Sequence, residues 1–247
     1  MKKILFTIFT ALVFLQACKE DEQSTPALSS LRLVNAAIDI ASVKLNTEAK
    51  PFWYNIPASD VANFANSRPY AINAGTKNVL IAPTADSTKF LVNEPKEFKP
   101  GQLNSLFLCG QAPTYEHVYL ADESFPKLIE EAIAFRFINL SPGSPALSVN
   151  LAATPTVNET ANLAYKQVTA FKNYPDVVVT NPIVFQVRNA TTGVVLATYT
   201  LPVAPVSPYT TVSTSLSKFR NVTLVVKGLV GTTAGVNAFG LFPVPHY

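Results

Sequence analysis

The chain is poor in the side chains that do chemistry: its 247 residues include two histidines, two cysteines, one tryptophan and one methionine. His117 has no second histidine at helical spacing, His246 stands alone near the end, and no cysteine pair exists, so no zinc site can be argued. Glycine is scarce as well, with nine residues and no run of them ahead of a helix, which excludes a phosphate-cradling loop. The Gly-x-Ser-x-Gly elbow of a serine hydrolase is missing. Charged residues make up 14% of the chain and form no basic cluster, so a nucleic-acid partner is excluded. No catalytic residue, metal or cofactor is therefore assigned. The adjacent carboxylates Asp122-Glu123 and Glu130-Glu131 would point apart and mark a linker. Asp60 and Asp86 are isolated, which leaves a glycosidase pair built from distant positions as an open, lesser reading.

What the chain has is 19 prolines, 16 phenylalanines and 9 tyrosines, with valine and threonine throughout. Proline at that density excludes long helices and suits turns and edge strands. Short apolar runs separated by turn residues predict an all-β protein made of sandwiches or barrels. One short helical turn is expected over residues 59–65, with Ser59 as its N-cap.

The first residues give an address. Lys2 and Lys3 precede an apolar run from Ile4 to Leu15, a secretory leader too short to span a bilayer. It ends in Leu15-Gln16-Ala17-Cys18, which resembles the lipobox of a bacterial lipoprotein. That resemblance implies cleavage before Cys18, acylation of its thiol with palmitate-type chains, and attachment to the cell outer membrane. Two or three acyl chains at about 0.8 kcal/mol per buried methylene make such an anchor effectively permanent. Lys19, Glu20, Asp21 and Glu22 follow, and this basic-then-acidic run resembles the export signal that Bacteroidota use to send lipoproteins to the exterior. Losing Lys2 and Lys3 with the leader lowers the formal net charge from +3 to +1. Cys109 is then the only cysteine left to consider. It ends the run Leu106-Phe107-Leu108, so it is expected to be a buried, inert thiol, and its spacing from His117 is expected to be chance.

The chain repeats itself at an offset of about 104 residues, roughly one sandwich domain. Leu31-Arg32-Leu33-Val34-Asn35 returns as Phe135-Arg136-Phe137-Ile138-Asn139. Val43-Lys44-Leu45 returns near Leu147 to Leu151, and Val79-Leu80-Ile81 returns as Ile183-Val184-Phe185. Leu31, Leu33 and Val34 should face the core, with Arg32 and Arg136 marking the opposite face. Further strands are expected over residues 89–92, 104–109, 117–121, 194–201, 209–215, 222–229 and 236–242, with a hairpin at Asn189 to Gly193. The organisation is then a leader (1–17), a charged tether (18–29), a first β-sandwich (30–124) and a second (133–247).

An opening strand ending in Asn139, the turn Ser141-Pro142-Gly143-Ser144-Pro145, then Asn162-Leu163-Ala164-Tyr165 and Ser207-Pro208-Tyr209-Thr210 together resemble the domain of unknown function family 4397. The resemblance covers residues 133–230, and 29–122 more weakly because the first copy lacks the Ser-Pro turn and the Leu-Ala-Tyr segment. It implies tandem immunoglobulin-like or transthyretin-like antiparallel β-sandwiches on a secreted or lipid-anchored protein, and it attaches no activity.

Two segments could carry contacts. Phe52, Trp53 and Tyr54 are consecutive aromatics after Pro51, and one of them could stack on a sugar ring or enter a protein interface. Asp86-Ser87-Thr88 resembles the O-glycosylation acceptor of Bacteroidota, with Ser87 as the modified residue. The expected function is a non-enzymatic, outward-facing outer-membrane lipoprotein that binds a glycan or protein ligand or mediates adhesion. The alternatives are a pilus subunit assembled by strand addition, with residues 236–247 as donor, and a secreted hydrolase.

Overall fold

The computed structural model describes residues 26–48, 60–129, 132–175, 182–201 and 219–246. Among them the chain forms sixteen strands and no α-helix. The first eight are β1 (Leu28–Asn35), β2 (Ser42–Asn46), β3 (Val61–Asn63), β4 (Asn66–Asn73), β5 (Gly75–Pro83), β6 (Val92–Phe98), β7 (Leu103–Gln111) and β8 (Thr114–Leu120). The second eight are β9 (Ala132–Asn139), β10 (Leu147–Leu151), β11 (Asn158–Leu163), β12 (Lys172–Pro175), β13 (Val184–Asn189), β14 (Val195–Thr200), β15 (Asn221–Lys227) and β16 (Gly240–Pro245).

They make two tandem β-sandwiches with one topology. The first unit has an inner sheet ordered β4-β1-β7-β8 and an outer sheet ordered β3-β2-β5-β6. The second has an inner sheet ordered β12-β9-β15-β16 and an outer sheet ordered β11-β10-β13-β14. Each order in the second unit is that of the first advanced by eight strands, so the weaker first copy follows the same plan. Neighbours run antiparallel except β1 with β7 and β9 with β15, which pair parallel at the centre of each inner sheet.

The two inner sheets pack on each other, giving four layers and three cores. Leu31, Leu33, Val79, Ile81, Leu106 and Leu108 fill the first sandwich. Phe135, Phe137, Val149, Phe185 and Leu224 fill the second, with Phe185 held edge-on at 5.1 Å from both Phe135 and Phe137. Val34, Phe107, Cys109, Ile138, Val225, Phe242 and Val244 fill the space between the units. This third core explains why β7, β9 and β15 are apolar almost without alternation: a strand buried on both faces has no solvent side to mark. It also corrects one expectation. Val34 faces the neighbouring unit and not the sandwich that buries Leu31 and Leu33. Arg136 lies on the opposite face from Phe135 and Phe137, and that face is the inter-unit layer, where Arg136 is buried.

A buried asparagine closes the same corner twice. Asn35 accepts from the Ala37 amide at 3.2 Å and donates to the carbonyls of Ile40 and Ala62. Asn139 accepts from the Ser141 amide at 3.1 Å and donates to Ser144 Oγ and the Leu163 carbonyl. The backbone carbonyls of the two asparagines accept from Ala65 and Lys166, the matching residues with left-handed φ of 55° and 65°. Asp60 lies in a 3-10 turn, but strand β3 and Ala65 occupy the rest of the segment where a helical turn was expected, so no helix forms over residues 61–65. The strand expected over 89–92 begins at Val92, and the last strand begins at Gly240. The strand expected over 209–215 lies outside the described residues.

Candidate functional site

Cys18, Lys19, Glu20, Asp21 and Glu22 lie outside the described residues, as do Phe52, Trp53 and Tyr54. Ser87 is described. It sits in the turn between β5 and β6, where Asp86 Oδ1 accepts from the amide and hydroxyl of Thr88 at 3.0 and 2.6 Å. Lys44 Nζ donates to Ser87 Oγ from the outward face of β2. The Thr88 hydroxyl and amide hold the Asp86 carboxyl below its usual range.

The cysteine and histidine that share a hairpin turn do not meet. In the β7–β8 register Cys109 stands opposite Glu116, while His117 stands opposite Leu108. His117 Nε2 contacts Glu94 Oε1 at 2.7 Å, across to β6. Cys109 is fully buried among inter-unit side chains, and burial pushes its thiol up to about 11, which makes it a poor nucleophile. The Tyr165 hydroxyl lies 3.4 Å from Cys109 Sγ and donates to Glu116 Oε2 at 3.0 Å. Lys166 Nζ pairs with Glu116 Oε1 at 2.5 Å and holds that carboxyl below its usual range. These contacts join β8 to the loop after β11, so the cluster ties the units together.

The linker carboxylates behave unequally. Asp122 is exposed, whereas Glu123 turns inward onto Arg136 as a buried ion pair. The Arg136 guanidinium lies over the Phe171 ring, 4.6 Å from its centroid, and Arg136 Nε donates to Thr223 Oγ1 at 2.8 Å. His246 contacts the same threonine at 2.7 Å and stacks on Phe125 at 4.6 Å. The linker is thus clamped to the second unit.

A further polar group lies on the outward face of the second outer sheet. Leu147, Val149, Phe185 and Val187 point into the sandwich, so Ser148, Asn150, Gln186 and Arg188 point away from it. Asn150 is nonetheless 0% exposed. Gln186 Oε1 accepts from Arg188 Nη2 at 2.6 Å and from Asn150 Nδ2 at 3.4 Å. Arg188 Nη1 donates to the Gly193 carbonyl at 3.1 Å, which fastens the hairpin turn. Asn150 Oδ1 and Arg188 Nε have no hydrogen-bond partner among the described residues. The sequence carried no motif for this group, because its members come from two strands and meet only through register.

One open groove of about 360 Å³ lies at the start of β1, between Leu28, Pro69, Tyr70, Gly101 and Leu103. Among the described residues no three His, Cys, Asp or Glu side chains converge as a metal site.

No protein-family model matches the chain, and no curated protein matches it. Among solved structures it is similar to one described as "a putative adhesin from Bacteroides ovatus", at 11% identity and a TM-score of 0.24, over 92% of this chain and 97% of that one. A likeness that low bears on neither fold nor activity.

Proposed function

We propose that the chain is a lipid-anchored binding module of the bacterial outer surface with no catalytic role. Cys18 is acylated, Lys19 to Glu22 direct export, and the two sandwiches, taken as family 4397 domains, stand on a short tether as one packed body. The observation that carries the binding role is the outward group of Asn150, Gln186 and Arg188. Folding alone favours pairing every buried polar atom, and here one acceptor and one donor are left over on the outward side of the outer sheet. Ser87, on an exposed turn, is the proposed O-glycan acceptor, and intact mass from the native host reads it directly.

The pilus alternative is disfavoured by the seat of its donor segment. Within residues 236–247, β16 pairs with β15, and its Phe242 and Val244 are buried between the units, so releasing it would open the inter-unit core. The anchor is tested by labelling cells with an alkynyl palmitate analogue. Wild-type protein takes the label, fractionates with the outer membrane and is cut by protease added to intact cells. Cys18→Ser loses the label and the membrane fraction. Unlabelled wild-type protein, or protein that survives shaving, overturns the reading.

A further inference from the structure

We propose that Asn150, Gln186 and Arg188 form a binding site for a neutral glycan. This rests on the reading of the chain as a surface binding module and gives that module a ligand class. The site sits on β10 and β13, the two interior strands of the second outer sheet, whose backbone groups are already paired on both sides. A ligand here is recognised by side chains and not by strand addition.

The unfilled atoms set the chemistry. Asn150 Oδ1 needs a donor and Arg188 Nε needs an acceptor, and both side chains converge on one atom, Gln186 Oε1. A hydroxyl supplies a donor and an acceptor from one oxygen, which suits two needs on side chains that share Gln186 Oε1 as a neighbour. A peptide unit points its N–H and C=O in opposite directions and fits less well. A carboxylate would satisfy Arg188 but set an anion against Asn150 Oδ1, which disfavours acidic ligands. Because Asn150 Oδ1 and Arg188 Nε are both covered, entry requires the half-buried Gln186 or Arg188 side chain to change rotamer, an ordinary event on binding.

The surroundings suit a sugar ring, whose C–H faces need apolar contact. Val195 stands opposite Arg188 and is 41% exposed, with Val194 beside it at 58%. Val157, next to the Asn158 that pairs with Asn150, is 56% exposed on the other side. The first unit serves as an internal control. There Asn46 occupies the position of Asn150, but the residues opposite Lys44 and Asn46 are Ala82 and Leu80, so no guanidinium or amide stands directly opposite.

The test is to apply the purified full chain to an array of neutral and acidic oligosaccharides, then titrate it calorimetrically with the neutral oligosaccharide best retained. Retention of neutral glycans is expected, with affinity falling about tenfold or more in Arg188→Lys, which keeps the charge but removes Nε–H, and in Asn150→Leu. Asn46→Leu should bind as wild type. Should Asn150→Leu fail to fold, Arg188→Lys, at a half-buried position, still decides. Retention of no neutral glycan, preference for acidic ones, wild-type affinity in Arg188→Lys, or capture of peptides through these residues overturns the proposal. Shaving and palmitate labelling read the surface role independently, so this site can fail while that role stands.

Discussion

His246 shows how much the inter-unit layer asks of a single side chain. Its ring is buried against Phe125, with Phe171 edge-on and Thr223 at Nε2. Burial first, then the positive charges of Arg136 and Arg32, push its pKa down to about 3. The folded chain therefore keeps a neutral imidazole where the unfolded chain takes up a proton. The sign follows: its contribution is intact above pH 6.5 and is lost as pH falls toward 3, with a slope of at most about 1.4 kcal/mol per pH unit. Urea unfolding of wild type and His246→Gln at pH 7, 5 and 4 checks this. The stability difference between them should shrink as pH falls, and parallel loss in both proteins would overturn it.

At the scale of strands, what was legible in the sequence divides by position in the sheet. The interior strands β1, β2, β5, β7, β9, β10, β13 and β15 were all readable, because an apolar face leaves a pattern. The strands missed are β3, β4, β11 and β12, with β6 placed three residues too early, and every one is an edge. Arg68, Pro69, Glu94, Pro95 and Lys96 break the pattern in β4 and β6 because an edge tolerates proline and benefits from charge. The polar group on β10 and β13 was illegible for a different reason: Asn150 and Arg188 are 38 positions apart and meet only through the pairing of Ser148 with Arg188 and of Asn150 with Gln186.

Turn positions at this scale give a paired prediction. Gly228 follows β15 with φ of 83°, and a Cβ there would lie 2.2 Å from the Ala238 carbonyl oxygen. Gly231 has φ of 90° with nothing within 4 Å. Gly231→Ala should cost only the backbone term, about 1 to 2 kcal/mol. Gly228→Ala adds a clash with fixed backbone and should cost roughly 3 kcal/mol or more. Denaturation midpoints compare them, and equal losses would remove the close approach as a cause.

For the whole molecule, the inter-unit core makes two sandwiches one cooperative body. The contacts across it are reciprocal: Lys227 of the second unit lies over Phe64 of the first at 5.2 Å, while Tyr165 of the second reaches Cys109 of the first, and Cys109 and Lys227 each directly precede a left-handed glycine. A dimer with a two-fold axis has such an interface, here built into a single chain. Val225→Asp places an unpaired charge in that core and should separate the units. Wild type is expected to unfold in one transition with Cys109 unreactive toward a thiol reagent, and the variant in two transitions with Cys109 rapidly labelled. A variant that melts once with its thiol still protected would show that the units do not depend on this layer.

The parallel pairing of β1 with β7 has a consequence in time. The Ser29 hydroxyl finds its partner, the Gln102 carbonyl, 73 residues later, and β9 likewise waits for β15. Neither sandwich can close its inner sheet until nearly all of its own sequence has been made, so contacts of high sequence separation dominate and folding is slow. If the chain is exported as proposed, that delay helps it: β1 can pair with β4 early, but it lacks its parallel mate β7 while the rest is still in transit.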